Sequence, residues 1–201
     1  MISYDELILQ LRSLVSGVPH LTANLANASA LLYNSLDRLN WAGFYILEGE
    51  TLILGPFQGK PACIEIPLGK GVCGTAAESK STILVDNVHK FPGHIACDSA
   101  SNSEIVIPLF KNGEIFGVLD IDSPFFSRFT KEDKEGLEAF ALYPQSTGAH
   151  RACAYLCSPG TQSLWPGGFC GSEWLPCLRD RPLFYGRGCF GVSRHHQLGK
   201  G

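Results

Sequence analysis

SEIVIPLFK-NG-EIFGVLDID, residues 103–122, holds two apolar, β-branched runs on either side of Asn112-Gly113. Asn-Gly between two such runs is the strongest short-range hairpin signal a sequence offers, because both residues accept the positive φ of a two-residue turn. The stretch predicts a pair of antiparallel strands, Ser103–Lys111 and 114–122. Upstream, Trp41–Glu48 (WAGFYILE) is aromatic and β-branched, and Gly49-Glu50 turns it into a second run, 51–57, as a first hairpin. Helical signals bracket the hairpins. Ser3 and Glu6 form a capping-box pair ahead of Leu7, Leu11 and Leu14. Leu21, Leu25, Leu32 and Leu36 recur on one helical face, and Thr130 with Asp133 caps a last helix reaching about Ala141. Hairpins between terminal helices predict an α+β fold, an antiparallel sheet flanked by helices.

The chain has 201 residues, 45% hydrophobic and 17% charged, enough for a globular core, and a net charge of −3. That balance gives no basic surplus for nucleic acid. Asp5, Glu6 and Arg12 interrupt the N-terminal apolar run, which argues against a secretory segment, and no stretch has the length of a membrane span. The expected location is the cytoplasm. Character changes near residue 142. Residues 143–201 hold 10 Gly, 5 Pro and 5 Cys, and carry +4 against −7 for residues 1–142. No segment there sustains a period of 2 or 3.6. The chain is therefore expected to comprise a domain over 1–142 and an irregular, poorly ordered Cys/Gly/Pro-rich tail over 143–201, as from an altered reading frame or splice form.

Eight cysteines without a secretory segment point to catalytic or metal-binding thiols rather than a disulfide scaffold. Three of them, Cys63, Cys73 and Cys97, fall in stretches dense in Gly, Pro and small polar residues: GPFQGKPAC, IPLGKGVCGTA and FPGHIACDSASNSE. These read as loops or short turns, with Cys73 in a glycine loop opening a short helix whose N–H groups suit an anion. Cys97 has His94 three residues before it and a run of hydroxyl and amide donors after it, surroundings that lower a thiol's pKa. Asp120 and Asp122 are two apart on one strand, so their carboxyls share a face. Such a pair on an apolar strand is costly unless it binds something, although Asp122 could instead cap the Ser123-Pro124 turn. Glu104 opens the partner strand. Trp41 and Tyr45 share a face and suit a pocket wall or a core.

NWAGFYIL, LGPFQGKPACIEIPLGKGVCGTAA, FPGHIACDSASNSEIVIPLF and GVLDIDSPFFSRF together resemble the free methionine-(R)-sulfoxide reductases, which are built on a GAF domain. The resemblance covers about residues 3–141 and stops at the tail. Cys63, Cys73 and Cys97 match the family's three cysteines, with its separations of 10 and 24 residues. It implies a Cys97 thiolate attacking the sulfoxide sulfur, with Glu104 and Asp122 as the carboxyl donors to the departing oxygen. It also implies a sulfenic acid resolved to a disulfide by Cys63, with Cys73 as alternative or relay, and thioredoxin or a similar dithiol as reductant. Trp41 and Tyr45 would enclose the substrate's methyl group, and Asp120 would take its ammonium group. Amides near Cys73 or across Ile95, Ala96 and Cys97 would take its carboxylate. No bound cofactor or metal is expected, and a homodimer is left open. Two rival readings are a non-catalytic GAF small-molecule sensor and a metal site on Cys63, Cys73, Cys97 and His94. The second lacks the close C-x₂₋₄-C pairing of zinc sites.

Overall fold

The computed structural model describes residues 2–95 and 98–144. Ala96, Cys97 and the tail from 145 lie outside the described residues. The chain opens with helix α1 (Tyr4–Val15), started by a complete capping box: Ser3 Oγ accepts from the Glu6 N–H, and the Glu6 carboxylate accepts from the Ser3 N–H. Helix α2 (Leu21–Ser35) follows, then strands β1 (Trp41–Glu48), β2 (Thr51–Gly59) and β3 (Glu65–Pro67). Helix α3 (Gly71–Ser79), strand β4 (Ile83–Val85), a single 3₁₀ turn at Val88–Lys90 and strands β5 (Ser103–Lys111) and β6 (Glu114–Ser123) come next. Helix α4 (Lys131–Ala141) closes the described part, with Thr130 and Asp133 forming a second complete capping box.

The six strands form one antiparallel sheet in the order β3-β2-β1-β6-β5-β4. Both expected hairpins are present, β1 with β2 and β5 with β6. The sheet gains two short edge strands, β3 and β4, that alternation did not reveal. Three residues are too few to show a period, and short edges suit a sheet that must not pair further.

Alternation along the strands sorts residues onto two faces with different tasks. Ala42, Phe44, Ile105, Ile107, Leu119 and Ile121 face α1, α2 and α4 and build the larger core with Leu7, Leu11, Leu25, Leu32, Leu137 and Phe140. In α1 the apolar stripe ends on Val15 and not, as expected, on Leu14, which is 46% exposed. Leu7, Leu11 and Val15 follow the i+4 row, and Leu14 turns off it. The opposite face carries Trp41, Tyr45, Val106 and Val118, which pack under α3 with Leu52, Ile66, Cys73 and Ala76. The buried acids belong to this second face. Among the described residues, no helix is long and apolar enough to cross a membrane.

Candidate functional site

Register decides which side chains meet. Asp122 on β6 lies opposite Trp41 of β1 on one side and Glu104 of β5 on the other. Asp120, two residues earlier, lies between Gly43 and Val106. Trp41, Tyr45, Glu104, Asp120 and Asp122 therefore share the face beneath α3, as the expected pairing of Asp120 with Asp122 requires. The three acids line a pocket with Gly71, Val72, Cys73, His94, Ile95, Asp98 and Ser101, and an adjoining hollow is walled by Trp41, Tyr45, Pro61 and Ala62.

The short helix expected to open at the glycine loop is present as α3, and Cys73 lies in its first turn, 4% exposed and packed in the apolar cluster. The glycines here provide close approach: a Cβ on Gly74 would strike the Pro67 carbonyl oxygen. GPFQG, by contrast, lies not in a loop but within β2, which continues to Gly59.

The Cys73 thiol points at Glu104, with Sγ 3.8 Å from Oε1. His94 Nε2 stands 3.8 Å from the other oxygen of the same carboxyl. Burial lowers the His94 pKa, so the imidazole is held neutral and is no imidazolium to activate a thiol. Burial also drives up Glu104 and Asp122, and neighbouring Asp120 adds repulsion to both. Asp120 itself is raised to about 6, again by burial, while contacts with Cys73 and Glu104 hold it back. Burial thus favours the protonated forms of Glu104 and Asp122, while Asp120, at about 6, is the one that turns to carboxylate toward neutral pH. Burial together with the charges of Asp120 and Glu104 pushes the Cys73 thiol up. Asp120 Oδ1 is buried without a hydrogen-bond partner. Asp122 does not cap the turn after it; Ser123 Oγ does, accepting from the Phe125 N–H.

Trp41 stacks on Tyr45 at 5.9 Å between ring centroids and on Phe57 at 5.3 Å, and its indole N–H donates to the Lys60 carbonyl at 3.1 Å. The Tyr45 hydroxyl donates to the Cys63 carbonyl at 3.0 Å. The aromatic wall thus holds the Cys63 segment against the site, and Cys63 is in a disulfide. Among the described residues Cys73 is the free cysteine. Cys97 and Ala96, expected as nucleophile and substrate contact, lie outside the described residues.

Asp98 and its partners were not anticipated. Asp98 accepts from the Ala100 N–H at 2.9 Å, from Asn40 Nδ2 at 3.2 Å and from Lys60 Nζ at 3.3 Å, and these donors keep its carboxyl below the usual range. Asn40 Nδ2 also reaches Ser101 Oγ at 3.0 Å. The network ties the residue after Cys97 to the segment before Cys63. An Asp two residues ahead of a turn N–H was a legible local signal; its long-range partners were not.

Residues 16–143 match the GAF domain family. The free methionine-R-sulfoxide reductase of Escherichia coli is 57% identical over 134 residues, 67% of this chain and 81% of that protein. Among solved structures, fRMsr of Staphylococcus aureus in complex with substrate is 56% identical, with a TM-score of 0.66 over 69% of this chain and 90% of that one. The Neisseria meningitidis free methionine-R-sulfoxide reductase, also in complex with its substrate, is 41% identical, with a TM-score of 0.69 over 72% and 87%.

Proposed function

The chain belongs to the GAF-domain family of free methionine-R-sulfoxide reductases, and we propose that it reduces free methionine-(R)-sulfoxide to methionine by thiol chemistry at this pocket. The observation that carries the reading is the disulfide at Cys63, held by Tyr45 beside a pocket of buried acids.

The Cys97 thiolate attacks the sulfoxide sulfur, and Glu104 or Asp122, both kept protonated by burial, delivers a proton to the sulfoxide oxygen. The oxygen ends on the Cys97 sulfur as a sulfenic acid, and methionine leaves as the thioether. The sulfoxide gains the two electrons that the thiol loses. Cys63 then condenses with the sulfenic acid, releasing water and forming the disulfide. A dithiol of the thioredoxin class restores both thiols and becomes a disulfide itself. Assigning Cys97 as the partner of Cys63 is supported by the Lys60–Asp98 pair, whose members lie three residues before Cys63 and one after Cys97. Cys73 suits neither thiol role, since its pKa is raised and it is buried against Glu104.

Asp120, ionised at neutral pH, takes the substrate's ammonium group, which would supply the partner that Oδ1 lacks. First-turn N–H groups of α3 at Gly71–Cys73, free of intrahelical partners, suit its carboxylate together with the Ile95 side of the pocket. Trp41 and Tyr45 enclose the methyl end. Capture of both charged ends favours the free amino acid over a residue in a peptide.

A thioredoxin assay coupled to NADPH consumption tests this with free methionine-(R)-sulfoxide and with a peptide containing it. The expected result is turnover of the free amino acid that Cys97→Ser abolishes. No turnover by the unmodified chain, or full turnover by Cys97→Ser, sinks the reading.

A further inference from the structure

The pocket under α3 gathers four carboxyl groups. Asp98, Glu104, Asp120 and Asp122 line it, and no lysine or arginine is among its described lining residues. At its floor the Cys73 sulfur, a Glu104 oxygen and an Asp120 oxygen all lie within 4.8 Å of one another. Asp120, 7% exposed, lines this space, and its Oδ1 is without a hydrogen-bond partner. A buried acceptor without a partner is costly, so a cation placed there recovers a penalty already present in the fold.

We propose that the pocket binds a zinc-class divalent cation on Cys73, Glu104 and Asp120, and that this ion excludes the substrate's ammonium group. A thiolate among the donors selects a borderline-soft ion, whereas magnesium and calcium call for oxygen donors throughout. Zn–S and Zn–O bonds of about 2.3 and 2.1 Å put neighbouring donors roughly 3.5 Å apart. Cys73 Sγ and Glu104 Oε1 already stand at 3.8 Å. Ligation replaces the thiol proton with the metal and releases that proton to solvent. Cysteine spacing along the chain hides such a site, because its donors come from α3, β5 and β6 and not from two cysteines a few residues apart.

The exclusion of substrate rests on the proposed reductase activity; the binding itself does not. Equilibrium dialysis of the fully reduced, full-length chain against zinc tests the binding, comparing unmodified protein with Cys73→Ser and Asp120→Asn. The other seven cysteines are common to all three chains and drop out of the difference. Each variant is expected to retain about one equivalent less, or to bind that equivalent at least tenfold more weakly. With cadmium as probe, the thiolate charge-transfer absorbance should fall in Cys73→Ser. Circular dichroism checks folding, and if Cys73→Ser fails to fold, Asp120→Asn decides. Equal stoichiometry and affinity in all three proteins would overturn the site. In the turnover assay zinc should raise KM for methionine sulfoxide at unchanged kcat. Zinc that binds through these residues but lowers kcat alone overturns the exclusion. A chain with no turnover in metal-free buffer contradicts the reductase reading instead, and the dialysis result is unaffected.

Discussion

Asp120 carries two demands that pull against each other. Its carboxyl is buried between β1 and β5, where an ionised group is costly, and its folded pKa of about 6 stands above the usual 3.8. Between those values the folded chain binds the proton more tightly than the unfolded one. The contribution of this carboxyl to stability is therefore whole below about pH 4 and is lost as pH rises through 6. Asp120→Asn keeps the shape and removes the charge. It should match the unmodified chain in urea unfolding near pH 4 and exceed it at pH 8, by roughly 3 kcal/mol or less. The same variant should bind substrate poorly, with a raised KM, because the ammonium group loses its counterion. A stability difference of equal size at both pH values would show that ionisation is not its source. A gain in stability bound to a loss of function is the signature of a charge kept for binding.

At the scale of elements, strand β1 is shaped by what it lacks. Gly43 sits where β1 crosses Asp120, and a Cβ there would overlap Phe57 Cβ and stand 2.6 Å from Trp41 Cη2. The stacked wall of Phe57, Trp41 and Tyr45 therefore requires a bare backbone at this position. Gly43→Ala should cost about 1–3 kcal/mol by overpacking. By turning the indole away from the site it should also raise KM more than it lowers kcat. Thermal unfolding and steady-state kinetics measure the two, and an unchanged KM would mean that Trp41 is core only. The elements legible in the sequence were those set by neighbours: both capping boxes, the Asn112-Gly113 hairpin and the alternation that puts Asp120 beside Asp122. Segments decided by distant contacts were not. The glycine loop announces a short helix at α3, but not the residues that helix buries against the sheet. The juxtaposition of Cys73 with Glu104 spans 31 residues of sequence and follows only from packing α3 on β5. Lys60 and Asn40 converge on Asp98 in the same long-range way.

For the whole molecule, the question is how much chain the fold needs. Both hydrophobic clusters draw their described members from residues up to Tyr143, and the GAF match ends there too. Tyr143 packs against the larger cluster, and the Arg12 guanidinium lies 5.5 Å from its ring centroid, so the last turn after α4 belongs to the core. A chain ending at residue 144 should accordingly fold cooperatively, with a midpoint within a few degrees of the full chain. It should also keep its turnover of methionine sulfoxide. This shorter chain decides the partner of Cys63 as well, since it retains three cysteines, Cys63, Cys73 and Cys97. If Cys63 pairs with Cys97, the oxidised short chain exposes one titratable thiol on denaturation, that of Cys73, and three after reduction. Three thiols before reduction would mean that Cys63 pairs with a cysteine beyond residue 144. In that case the five tail cysteines would enter the redox chemistry, and the two-thiol cycle through Cys97 and Cys63 would be wrong.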